Sequence, residues 1–218
     1  MNTTRHDQSN TPLAAALAGT NPSGRLRAAL TAGTQGDPGL VETLVARCAV
    51  EPDFFVRDML TWALCRMPAE RTVPRLLAEL RSDTAQARSQ ALHTLSKIGD
   101  RQAFAPVTAL LHDTDDEVAR SAWRAAVALV PAGAEGTLAA DLAPALARGD
   151  RDTRLSLSRA LTGLGESVLP VLDAAAASTD PAVRAHAEAT VRLYHDPDSG
   201  FTDSLEHATR VAITGPGE

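Results

Sequence analysis

Apolar residues recur along this chain at helical intervals, and the intervals come in blocks. One block carries Ala28 and Ala32, the next Leu60, Ala63 and Leu64, the third Ala91 and Leu95. Three more follow at Ala122, Ala125 and Ala126, at Leu157, Ala160 and Leu161, and at Ala187 and Val191. Steps of three and four place each set on one face of a helix. Ahead of the blocks stand Asn21, Asp53, Thr84, Asp115, Asp150 and Asp180, all residue types whose side-chain oxygen can hold a free amide of a first helical turn. Four positions after each cap come Arg25, Arg57, Arg88, Ala119, Arg154 and Arg184, separated by 32, 31, 31, 35 and 30 residues. A period near thirty that recurs in register predicts a repeating unit.

Upstream of the caps lies a second set of helical runs. They are Leu40–Cys48, Val73–Leu80, Phe104–Leu111, Leu138–Ala147 and Val168–Ala177, with a short opening run at Pro12–Ala18. Pro74, Pro106 and Pro170 sit near the starts of three of these, where a missing amide costs little. Gly36, Gly99 and Gly165 share a place near the ends of the downstream helices, suited to a left-handed terminal residue. A pair of helices thirty residues long cannot bury its apolar stripe alone; stacked pairs can. The pattern therefore predicts an all-α, right-handed α-solenoid of about six helix pairs, eleven or twelve helices in all, over residues 12–195. A flexible N-terminus covers 1–11 and a C-terminal tail 196–218, in which Ser204–Ile213 has the pattern for one short helix.

Composition agrees with helices. The 218 residues include 41 alanines and 27 leucines but only 3% aromatics, which excludes a β-sandwich or barrel. Lys and Arg number 21 against 27 Asp and Glu, a net charge of −6 that disfavours nucleic acid as the partner while leaving room for a local basic patch. Two cysteines, Cys48 and Cys65, imply no disulfide framework and read as small buried apolar groups in a reducing cytoplasm. Met1–Asn10 lacks the apolar run of a signal peptide, and no stretch of eighteen apolar residues suggests a membrane span. Phosphate-cradling, zincin and nucleophile-elbow motifs are missing, and the six histidines are scattered. No enzyme, metal or cofactor is expected. The arginine ladder is expected to be structural, each member meeting an Asp or cap carboxylate of the neighbouring unit.

The in-frame Asp-x-x-Val-Arg-x-x-Ala pattern, preceded by Val-Pro-x-Leu-x-x-x-Leu at Val73–Leu80, resembles HEAT repeats, closest to the short phycobilisome-lyase HEAT-like type. The stretch Phe54–Leu64 is also similar to small actinobacterial HEAT proteins carried beside MerR-type regulators. Such folds work through the concave wall of their second helices. The resemblance implies a non-enzymatic scaffold that binds a protein or peptide there. By register the outward positions are Asp58, Trp62, Arg66, His93, Lys97, Arg120, Trp123, Arg124 and Arg159. Arg and Trp dominate binding hot spots, although the two tryptophans also suit gaps between Ala-rich layers. Helical-repeat DNA glycosylases share the resemblance. In that alternative Asp58 is the carboxylate beside Trp62 and Trp123, with Arg120, Arg124 and Arg159 on phosphates. A ligand-binding module associated with a regulator is a further alternative.

Overall fold

The computed structural model describes residues 12–198. The expectations for the N-terminus 1–11 and for Ser204–Ile213 lie outside the described residues. Within them the chain forms twelve α-helices and no strand. Six pairs follow one another: α1 (12–17) with α2 (Pro22–Gln35), α3 (Val41–Cys48) with α4 (Phe54–Cys65), α5 (Ala69–Glu79) with α6 (Ala85–Ile98), α7 (Phe104–Thr108) with α8 (Asp116–Leu129), α9 (Glu135–Leu142) with α10 (Arg151–Thr162), and α11 (Leu169–Ala176) with α12 (Pro181–His195). The contacts divide the chain into two compact units, up to Pro131 and from Ala132.

In the first unit the second helices pack in chain order, α2 on α4, α4 on α6 and α6 on α8, while α3, α5 and α7 each pack on the second helix that follows. In the second unit α10 and α11 both pack against α12. The predicted stripe forms the cores: Ala28, Leu60, Ala91 and Ala122 in one unit, Leu157 and Ala187 in the other, all buried. Small residues let the second helices approach closely. At Gly33, inside α2, an added Cβ would stand 2.8 Å from Ala63 Cα and collide with the Trp62 ring. Glycine is worth its helix-propensity cost of about 1 kcal/mol there because nothing larger fits.

The predicted caps are in place with one exception. Asn21, Asp53, Asp115, Asp150 and Asp180 each accept a first-turn amide, but Thr84 makes no side-chain cap bond. A second cap lies two residues earlier. Glu51, Ser82, Asp113 and Ser178 accept the backbone amides of Asp53, Thr84, Asp115 and Asp180. Gly36 and Gly99 close α2 and α6 in the left-handed region, with φ of 64° and 76°. Pro106 and Pro170 stand in the first turns of α7 and α11, whereas Pro74 is internal because α5 begins a turn earlier than its apolar run, at Ala69. Cys48 is buried and burial pushes its thiol up to about 12; Cys65, expected to be buried, is exposed.

The ladder is structural in a different way from the one expected. Its common partners are backbone carbonyls of the turn just behind it. Arg25 Nη1 donates to Gly19 and Thr20 O, Arg57 Nη1 to Glu51 and Pro52 O, Arg88 Nη1 to Ser82 O, and Arg184 Nη1 to Ser178 and Thr179 O. Two members add a carboxylate from the following repeat. Arg25 grips Glu51 through Nε and Nη2, both at 2.7 Å, and Arg88 grips Asp113 at 3.0 and 3.1 Å. Arg154 differs: it is exposed, and its Nε reaches Asp150 O at 3.2 Å.

Glu51 is the most heavily tied of these groups. Its buried carboxylate also accepts from Arg47 and from the amide of Asp53, and its carbonyl accepts from Gln86 of α6. Burial alone would raise its pKa; the bonds from Arg25, Asp53 and Arg47 overcome that and pull it from 4.5 to about 2.

A folded-state pKa below the unfolded value makes this carboxylate stabilising above pH 4.5, with the contribution lost as pH falls towards 2. Glu51→Gln should therefore unfold at lower denaturant than the parent at pH 7, and the gap should close between pH 4.5 and 2 in denaturation series run across that range. Arg88→Ala should cost about 1–3 kcal/mol, because it leaves the half-buried Asp113 and the Ser82 carbonyl short of a donor. Arg154→Ala, by contrast, should shift stability by less than about 0.5 kcal/mol. Equal losses in the two would overturn the distinction.

Candidate functional site

Three second helices of the first unit, α4, α6 and α8, border a groove of about 490 Å³. Asp58 lines it from α4, His93 and Lys97 from α6, and Arg124 from α8. These four were expected from register alone. Between the helices the groove floor is polar: Ser89 and Ser121 hydroxyls meet at 3.0 Å and are buried. Deeper between α4 and α6, Thr61 and Thr94 hydroxyls lie 3.4 Å apart, and Thr94 also donates to Gln90 O. Such buried hydroxyls pair across the helices, which satisfies them and fixes register.

Charge in the groove is mixed but tilts positive toward α6 and α8. Glu117 stands 3.7 Å from Arg124 and 3.8 Å from Arg120. His93 is held below its usual pKa, first by burial, then by the neighbouring charges of Lys97 and Arg124, against an opposing pull from Asp58. These effects favour its neutral form. Arg57 lies over the Phe54 ring, 6.0 Å from its centre, at the α4 edge.

The remaining expected residues fall elsewhere. Trp123 is a correction: it is fully buried, and its Nε1–H donates to Leu111 O at 2.8 Å, so it fills the core between α7 and α8. It lies four residues past the ladder position and Trp62 five past it, and one residue turns a helix by about 100°. Trp62 is exposed at 39% and packs over Gly33 on α2, beside the groove. Arg66 is exposed at the C-cap of α4, outside the lining. Arg120 is half-buried, and its Nε has no hydrogen-bond partner. Arg159 belongs to the second unit, in a recess with Thr162, Gly163 and Tyr194.

Sequence reasoning passed over the aromatic edge. Phe54 and Phe55 open α4 and are 66% and 72% exposed, with Leu30 at 47% on α2. A pair of phenylalanines directly after a cap, in a chain with 3% aromatics, was the available signal. Among the described residues no three His, Cys, Asp or Glu converge on a common point, and no helix is long and apolar enough to cross a membrane.

Among solved structures, two engineered proteins of the Northeast Structural Genomics Consortium are similar at 22% and 17% identity, covering 87% and 84% of this chain and 96% and 97% of theirs, with TM-scores of 0.46 and 0.44. A designed armadillo repeat protein is similar at 16% identity over 84% of this chain and 98% of its own, with a TM-score of 0.34. No curated protein matches the chain. The family described as HEAT repeats matches residues 9–90 and 51–128, together more than half of the chain, over the pairs that build the groove. The chain therefore belongs to the HEAT-repeat family.

Proposed function

We propose that this protein is a non-enzymatic scaffold that binds a protein or peptide partner through the grooved face of α4, α6 and α8. HEAT repeats in general serve as binding scaffolds, because stacked pairs present a long row of second-helix side chains that packing does not use. The observation that carries the reading is the exposed aromatic edge beside the groove. Phe54, Phe55, Trp62 and Leu30 are large apolar groups left in water on the successive second helices α2 and α4. Exposed apolar clusters rimmed by polar groups mark interaction sites. Across the groove Lys97 and Arg124 supply the polar rim. The partner side of this interface is an apolar anchor next to carboxylates.

The residues proposed to contact it are Asp58, Trp62, His93, Lys97 and Arg124, with Arg66 and Arg120 at the margin. A nucleic-acid partner is the weaker reading, since Asp58 and Glu117 share the groove with the cations and the chain carries a net charge of −6.

Lys97 and Arg124 are exposed, so Lys97→Glu with Arg124→Glu should change stability by less than about 0.5 kcal/mol each. Affinity purification from the native cell, with nuclease present, should recover a protein partner with the parent chain and lose it with the double variant and with Phe55→Asp. Recovery that depends on intact nucleic acid, and duplex binding that weakens steeply with salt, would replace this reading with the nucleic-acid one.

A further inference from the structure

Residues 143–150 join α9 to α10 and make the longest link within any of the six described pairs. The device that closes this link is also different. Elsewhere Arg25, Arg57, Arg88 and Arg184 turn an Nη back onto the carbonyl six residues behind. Arg154 brings only its Nε to Asp150 O. In place of the arginine a histidine arrives from the next second helix. His186 of α12 is 6% exposed, and its Nδ1 accepts the amide of Ala147 at 2.9 Å. Ala147 has a φ of 68°, the one positive φ outside glycine among the described residues. The left-handed region is unfavourable for a residue with a Cβ, so this backbone holds its shape because a partner holds its amide.

The protons around the ring can be assigned one by one. Thr190 Oγ1 donates to His186 O, so the Ser158 hydroxyl donates to Thr190 Oγ1, 2.8 Å away. Ser158 Oγ is then an acceptor for the ring, as Arg154 O must be, and each lies 3.0 Å from Nε2. Nε2 therefore carries the proton of the neutral imidazole, and Nδ1 keeps a free lone pair for Ala147. One nitrogen is left on which a second proton can add, and it is the nitrogen that holds the link.

We propose that His186 is a proton-operated clasp: a proton taken from water onto Nδ1 breaks the bond to the Ala147 amide and opens the 143–150 link. The lone pair that accepted becomes an N–H that faces another N–H. The imidazolium keeps its Nε2 bonds to Ser158 and Arg154 O, and the Ser158–Thr190 bond still ties α10 to α12, so the opening is local. The charged group that acts on the ring is Arg154 of α10; Arg151 of α10 and Arg192 of α12 line the same groove, and Arg148 and Asp150 lie beside Ala147 in the link. Burial is the main influence that holds the ring below its usual 6.5, and the Arg154 charge adds to it against the pull of the Arg154 carbonyl. A folded-state value below the unfolded one means the clasp contributes fully above pH 6.5 and is lost as pH falls through the lowered value.

The test is nitrogen-15 NMR on the full chain across the acid range. Exchange of each amide is expressed relative to an unstructured amide at the same pH, which removes the intrinsic pH dependence. Protection of Ala147 should fall by about tenfold for each pH unit below the ring's midpoint, while the amides of Leu157 and Ala187 stay protected. The His186 ring signals should show Nε2 protonated and Nδ1 bare at neutral pH, and should titrate with the same midpoint. His186→Gln, whose side chain can accept but does not titrate, should leave Ala147 protection independent of pH. A ring protonated on Nδ1 at neutral pH, or midpoints that differ, would overturn the proposal. So would protection lost together at Ala147, Leu157 and Ala187, which is global acid unfolding. Acid loss at Ala147 that persists in a folded His186→Gln chain would also overturn it. If that variant does not fold, the match of the two midpoints in the parent decides.

Discussion

A short turn between two antiparallel helices leaves carbonyls that neither helix can satisfy, and leaving them buried without donors is costly. In this chain one arginine in the first turn of the second helix bends back to hold them. Arg25, Arg57, Arg88 and Arg184 do this with the same nitrogen on the carbonyl six residues behind. In these four repeats the closed turn fixes where the second helix begins. The caps then fall at fixed positions, the second helices start in register, and their alanine faces meet. The arginine works within its own repeat; only at Glu51 and Asp113 does it also tie one repeat to the next.

Those two ties show what was legible in the sequence and what was not. The cap, the arginine and the apolar stripe all lie within about a dozen residues, so their period could be read directly. The acid that receives Arg25 lies 26 residues on, and the one that receives Arg88 lies 25 on. At the equivalent places stand Ser82, Arg148 and Ser178, so carboxylate pairing could not be general. Ala119, which breaks the ladder, is matched by Arg148 where an acid would stand. Ser82 and Ser178 still hold the cap amide that Glu51 and Asp113 hold elsewhere, which keeps the local part of the device when the long-range part is absent.

The groove of the first unit was partly legible for the same reason. Residues whose direction follows from helical phase, Asp58, His93, Lys97 and Arg124, line the groove. Trp123 does not, because one step along a helix separates an outward side chain from a buried one. Nor could phase reveal that Trp62 leans over Gly33, since that depends on how closely α2 and α4 approach. The buried hydroxyl pairs Ser89–Ser121 and Thr61–Thr94 were equally hidden: serine and threonine on a helix face look like solvent positions until a neighbouring helix brings a partner.

Alanine-rich packing also explains why the exposed aromatics stand apart from the core. The largest fully buried side chains are Trp123 and a set of leucines, so a core of small residues closes with one buried aromatic ring of that size. Phe54 and Phe55 add nothing to that core; they are mostly in water, and their ring contact is with each other at 5.7 Å. Arg57, committed by one nitrogen to the turn behind it, spreads over Phe54 with the rest of its guanidinium. The same ladder that closes the turn thus holds an aromatic ring at the rim of the groove. A burial of about 25 cal/mol per Å² of apolar surface is forgone at each of these rings in the unbound chain, and it becomes available to whatever covers them. In a fold that has solved its packing with alanine, that uncovered surface is the feature on which the proposed binding role rests.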